Sequence, residues 1–175
     1  MGKRDFSYLI EEIIYKALNK EPLSRSEILC LLGLKKPDET HKLFTAARNL
    51  RQKYFGNSIF LYGFLYISTH CRNNCTFCSY RASNSSCVRY RKTEQEVIEA
   101  AIDMAASGVH LLDLTMGEDP LYYEKEDGFE PLLHLVKEVK QQTSLPVMAS
   151  FGSLPNQVLD NILEAGADWY ACYQE

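Results

Sequence analysis

Three cysteines, Cys71, Cys75 and Cys78, sit in the run His70-Cys71-Arg72-Asn73-Asn74-Cys75-Thr76-Phe77-Cys78. The spacing is C-x-x-x-C-x-x-C, with no fourth cysteine at a matching interval. Thiolates hold iron–sulfur clusters, and a [4Fe–4S] cube has one iron more than three thiolates can occupy. An open iron can take a small molecule and do chemistry on it. The main rival is structural zinc, which needs four ligands. His70 or Cys87 could complete such a set, but neither stands at a usual zinc-finger interval.

The cysteine loop must be presented by something, and the apolar run Phe64–Ser68 directly before it reads as a buried strand. Thr93 then opens a helix, with Glu96 three residues on as a capping box and Gly108 at its end. His110–Thr115 is the next strand, Glu130–Gln141 a helix with Pro131 in its first turn, and Pro146–Ser150 a strand. Pro155–Ala165 is a helix ended by Gly166, and Asp168–Tyr173 a fourth strand. The alternation β-α-β-α-β-α-β with short connections predicts a parallel sheet with right-handed crossovers. Ahead of it, apolar residues at helical spacing (Phe6, Leu9, Ile10, Ile13, Ile14, Ala17) predict a first helix. Ser24 or Ser26 caps a second, and Asp38 a third that ends at Gly56.

The expected organisation is therefore a helical extension over residues 1–57 and an α/β unit over 58–175. A closed (β/α) barrel typically needs about 250 residues and eight strands. Four βα units read as a partial TIM-like barrel, the first half, either truncated or awaiting a second half-barrel chain. Two open strand edges would then be an association hazard.

Composition sets outer limits. The formal charge is −4, which gives no global case for nucleic acid. No apolar run approaches the roughly 18 residues of a membrane span, and the N-terminus has no signal-peptide core. The chain reads as cytoplasmic. In a reducing compartment, six cysteines point to metal or catalysis rather than disulfides. Cys30, in Ile28-Leu29-Cys30-Leu31-Leu32, reads as a small buried hydrophobe, and Cys87 and Cys172 as buried or incidental. Basic residues Arg48, Arg51 and Lys53 alternate with apolar ones, which fits a solvated helix face.

In parallel α/β folds, functional groups gather at the C-terminal ends of strands. Four polar sets fall there: the cysteine loop, Asp113–Pro120, Ser150, and Tyr173-Gln174-Glu175. The cysteine spacing, with Phe77 before the third cysteine, resembles the radical S-adenosylmethionine (SAM) signature. Gly117-Glu118 resembles that family's Gly-Glu motif. The runs Phe64–Cys75, Leu114–Pro120 and Gly166–Glu175 are most similar to the methylornithine synthase family of the pyrrolysine pathway, a biotin synthase-like branch akin to the hydrogenase-maturation proteins. The likeness covers nearly all of this chain and about the first half of the family's length.

The resemblance implies roles. Cys71, Cys75 and Cys78 would hold a [4Fe–4S] cluster whose open iron is chelated by SAM, and one electron would cleave SAM to methionine and a 5′-deoxyadenosyl radical. Phe77 would lie against the adenine, Gly117 and Glu118 would face the methionine ammonium, and Glu175 would meet the ribose hydroxyls. Ser150 would be a further cofactor contact. Asp113 would face the barrel interior and pair with a substrate ammonium. The family reaction is the rearrangement of L-lysine to (3R)-3-methyl-D-ornithine, with an external flavodoxin- or ferredoxin-like electron donor. The residues alone leave other readings open: Asp113 as a structural salt-bridge partner, Glu118 as a turn residue, Ser150 as a local hydrogen-bonder, Phe77 as a core aromatic. For the whole, the alternatives are another biotin synthase-like enzyme, or an inactive or split cluster-binding remnant.

Overall fold

Leu65, Ile67, Leu112, Leu114, Met116, Val147 and Ala149 alternate along three strands and share one apolar core with helical residues. That alternation decides the architecture. The structure is a computed structural model that describes residues 6–173, and it divides into two compact units, 1–59 and 60–175.

In the second unit, β1 (Tyr62–Ser68), β2 (Leu111–Met116), β3 (Val147–Ser150) and β4 (Trp169–Tyr170) form one parallel sheet in the order β1-β2-β3-β4. The connections are α4 (Glu94–Ala106), a short α5 (Pro120–Tyr123) followed by α6 (Glu130–Thr143), and α7 (Asn156–Glu164). Val97 and Ala101 of α4, Leu132, Leu135, Val136 and Val139 of α6, and Ile162 of α7 all pack into the same core. The helices therefore cover one face of the sheet. A doubly wound sheet would carry them on both. Sequential strands with helices on one side are half of a (β/α) barrel. The opposite face carries Tyr62, Phe64 and Tyr66 on β1, with Asp113 opposite Phe64 and Met148 opposite Asp113. Aromatic contacts run along it, Tyr62 edge-on to Phe64 at 4.7 Å and Phe64 stacked on Tyr66 at 6.4 Å between ring centroids.

The helix starts follow local chemistry. Thr93 and Glu96 form the expected reciprocal capping box, Thr93 N–H donating to Glu96 Oε2 at 2.7 Å. The differences from expectation also have physical causes. β1 begins two residues early, because Tyr62 and Gly63 pair with Leu111 and Leu112. β4 is only two residues long, although Ala171 N–H still reaches Ala149 O at 2.9 Å. The Asp168 carboxylate, expected within that strand, instead takes Lys140 Nζ at 2.6 Å and the Val147 N–H at 2.8 Å. Pro120 nucleates α5 in a run whose residues also left a turn open as a reading, with Asp119 capping the Leu121 N–H at 2.9 Å.

In the first unit, α1 (Phe6–Leu18), α2 (Arg25–Leu32) and α3 (Pro37–Phe55) follow one another. Ser24 caps α2 in a second capping box with Glu27, whose carboxylate also pairs with Lys16 at 2.6 Å. α3 starts at Pro37, with Lys36 rather than Asp38 at the cap, because a proline suits the first helical position. Among the described residues no helix is long and apolar enough to cross a membrane.

Candidate functional site

The loop over residues 69–90 forms no helix or strand, yet it is closed at its base. Thr69 N–H donates to Tyr90 O at 3.1 Å, Tyr90 N–H to Thr69 Oγ1 at 2.9 Å, and Lys92 N–H to Ile67 O at 2.9 Å. Ser68 pairs antiparallel with Arg91, where the β1 register shifts. Asp119 ties this base to the end of β2. It is fully buried and accepts from Ser68 Oγ at 2.5 Å, Arg91 Nε at 2.7 Å and Arg91 Nη2 at 2.8 Å. Burial pushes its carboxyl upward, but the Arg91 and Ser68 hydrogen bonds outweigh that and hold it below the usual range.

Cys71, Cys75 and Cys78 all border one cleft of about 450 Å3 at the C-terminal end of the sheet, and Gly117, Glu118 and Ser150 border it with them. All three cysteines are free thiols. Among the described residues no three potential ligands converge on a point that could hold a single metal ion. A cube does not ask for that, since each thiolate binds its own iron. Gly117 makes the close approach possible. A Cβ there would lie 2.9 Å from Cys71 Cβ and 3.0 Å from Cys71 Sγ.

Glu118 is clamped. Its Oε2 accepts from Arg72 Nε at 2.8 Å, its Oε1 from the Ser153 N–H at 3.1 Å, and its carbonyl from the Arg72 N–H at 2.8 Å. The Arg72 guanidinium also lies over the Tyr123 ring, 4.6 Å from its centroid. Gly152 has φ +92, and a Cβ on it would come within 2.6 Å of Glu118 Cγ, so glycine is needed on both counts. Burial pushes the Glu118 carboxyl upward, while the Ser153 N–H and Arg72 bring it below its ordinary value.

Ser150 is buried, and among the described residues its Oγ has no hydrogen-bond partner. Asp113 is fully buried on the barrel-interior face. Its Oδ2 accepts from Tyr62 Oη at 2.7 Å, and among the described residues its Oδ1 has no partner. Burial and the Asp113 carboxylate together push the Tyr62 hydroxyl well above its ordinary value. Phe77 is 74% exposed and does not line the cleft. Glu175 lies outside the described residues.

Sequence reasoning passed over Arg72, Asn73, Gly152, Ser153 and Cys172 at the cleft. An arginine inside the cysteine run was the available signal for Arg72. Nothing in the sequence singles out the backbone N–H of Ser153.

The Radical SAM superfamily matches residues 65–175. A 3-methylornithine synthase of Methanosarcina acetivorans is 43% identical over 153 residues, 87% of this chain and 43% of that protein. One from Methanosarcina barkeri is 41% identical over 91% of this chain and 45% of its own length. The crystal structure of a methylornithine synthase superposes with a TM-score of 0.80 at 39% identity, covering 93% of this chain and 47% of that one. The chain thus spans less than half the length of these relatives. A match over most of the α/β unit, on the residues that frame the cysteine cleft, places the chain in the Radical SAM superfamily.

Proposed function

We propose that this chain carries the cluster- and SAM-binding face of a radical SAM enzyme that converts L-lysine to (3R)-3-methyl-D-ornithine. The observation that carries the reading is the meeting of Cys71, Cys75 and Cys78 with Gly117, Glu118 and Ser150 around one cleft. The 43% identity to a 3-methylornithine synthase supports the substrate.

The residues present suit the group. The donors are three free thiols, soft ligands of the kind iron–sulfur clusters take. Gly117 leaves a space against Cys71 that a Cβ would fill. Ser150 Oγ and Asp113 Oδ1 are buried polar atoms without a hydrogen-bond partner among the described residues. When bound, the cluster and SAM supply reductive cleavage of the sulfonium C–S bond and hence abstraction of a substrate hydrogen atom.

The chain's own residues bind and orient. Cys71, Cys75 and Cys78 would take the irons. Glu118 would accept from the methionine ammonium. An ionised carboxylate has about four acceptor sites, so Glu118 can do so without releasing Arg72 or Ser153. Ser150 would offer its hydroxyl at the same cleft and Glu175 its carboxylate to the ribose, while Phe77, exposed outside the cleft, has no contact there to support the adenine role. Asp113 would accept a substrate ammonium at Oδ1 while Tyr62 holds Oδ2. The barrel interior would exclude water around the reacting carbon. The electron would come from a flavodoxin- or ferredoxin-like donor.

The test is anaerobic incubation of the protein, within a complete barrel, with SAM, a reductant and L-lysine. Mass analysis should find 3-methylornithine. 5′-Deoxyadenosine without any lysine-derived product would sink the substrate assignment. Absence of both would sink the reading.

A further inference from the structure

Arg89 crosses the cysteine loop from its base. We infer that it is a positioning residue that sets the loop in its cluster-receiving shape before any iron arrives. This rests on the reading that Cys71, Cys75 and Cys78 hold a cluster. Arg89 Nη1 donates to Thr69 O and, at 2.9 Å, to Tyr80 O. Arg89 Nη2 donates to Arg81 O at 2.7 Å and to Asn84 O at 3.2 Å. One acceptor lies before Cys71 and three lie after Cys78, so a single side chain brackets all three thiols.

The loop needs such a tie. It has no helix or strand of its own, and backbone carbonyls turned inward must find donors. A guanidinium presents five N–H groups in a rigid fork, which suits four carbonyls spread along a bend. A lysine offers its three donors from one point and cannot span them. Other bonds tie parts of the loop together as well. Ala82 N–H meets Asn73 O at 2.8 Å, Ser83 N–H meets Asn74 Oδ1 at 2.9 Å, and Cys78 N–H meets Cys75 O at 3.1 Å. Arg89 itself is anchored, since its neighbours Val88 and Tyr90 are both bonded to Thr69. The loop is thus shaped by the protein, and the cluster would dock into a frame already made.

The test uses the chain with and without iron, comparing the natural sequence with Arg89→Lys and Arg89→Gln. Without iron, the Ala82 and Ser83 amides of the natural chain should exchange more slowly than in a free peptide. In both variants they should exchange faster, while amides in β1, β2 and α6 are unchanged. On anaerobic addition of ferrous iron and sulfide, the variants should load about 10- to 100-fold more weakly, the usual effect of removing an outer support from a metal site. Three results would overturn the inference: free-peptide exchange of the iron-free natural loop, variants that load like the natural chain, or loading lost only together with protection across the sheet. Failure of the natural chain itself to take up iron would instead refute the cluster reading, and the exchange comparison would still decide the role of Arg89.

Discussion

Asp113 holds one carboxylate oxygen against Tyr62, and the other, buried, meets no donor among the described residues. Tyr62→Phe deprives that buried carboxylate of the Tyr62 donor, and an unmet buried acceptor costs about 1–3 kcal/mol. Denaturant unfolding should read a loss of that size. Asp113→Asn should abolish lysine turnover in the complete barrel while leaving SAM cleavage in place. Loss of both would move Asp113 from the substrate to the cofactor. Gly117→Ala places a Cβ 2.9 Å from Cys71 Cβ, so iron per chain after reconstitution should fall while the fold, read by circular dichroism, is kept. At this scale the sequence disclosed what its letters carry: the thiol spacing, Gly117 and Glu118. It did not disclose what the folded chain brings together. Arg72 reaches Glu118 across 46 positions, and the Ser153 amide reaches it across 35.

Among elements, the helices were the most legible, because capping and apolar spacing are local signals. Thr93 with Glu96 marks the start of α4 in the letters and in the structure alike. Thr93→Ala should cost about 0.5–2 kcal/mol, read as a lower unfolding midpoint. Leu132 of α6, almost wholly buried against the sheet, should cost about 2–5 kcal/mol as Leu132→Ala. The strands were less legible at their ends. Strand length depends on a partner: β1 gains Tyr62 because β2 is there to pair with it, and β4 is short although its sequence continues apolar. The short α5 was hidden inside a run that also spells a turn, Glu118-Asp119-Pro120.

For the molecule as a whole, the alternation of β and α segments was enough to predict parallel strands. The reading of four βα units as a partial barrel is borne out, since the helices share one face of the sheet. Acid should loosen the second unit at its loop base. The folded-state Asp119 carboxyl lies below its ordinary value. Its stabilisation is therefore complete above the ordinary carboxylate range, and it is lost as pH falls through that range toward the depressed value. Unfolding measured against pH should show this slope, and Asp119→Asn should flatten it while lowering stability at neutral pH. The proposed site is a loop, a turn and a strand end around three thiols, which would leave one iron of a cluster open. Mössbauer spectroscopy of the anaerobically reconstituted protein, recorded before and after adding SAM, tests that directly. The prediction is a [4Fe–4S] spectrum in which one iron differs from the other three and shifts when SAM is added. A spectrum with every iron held by side chains and indifferent to SAM, or a colourless protein holding a single zinc, would contradict it.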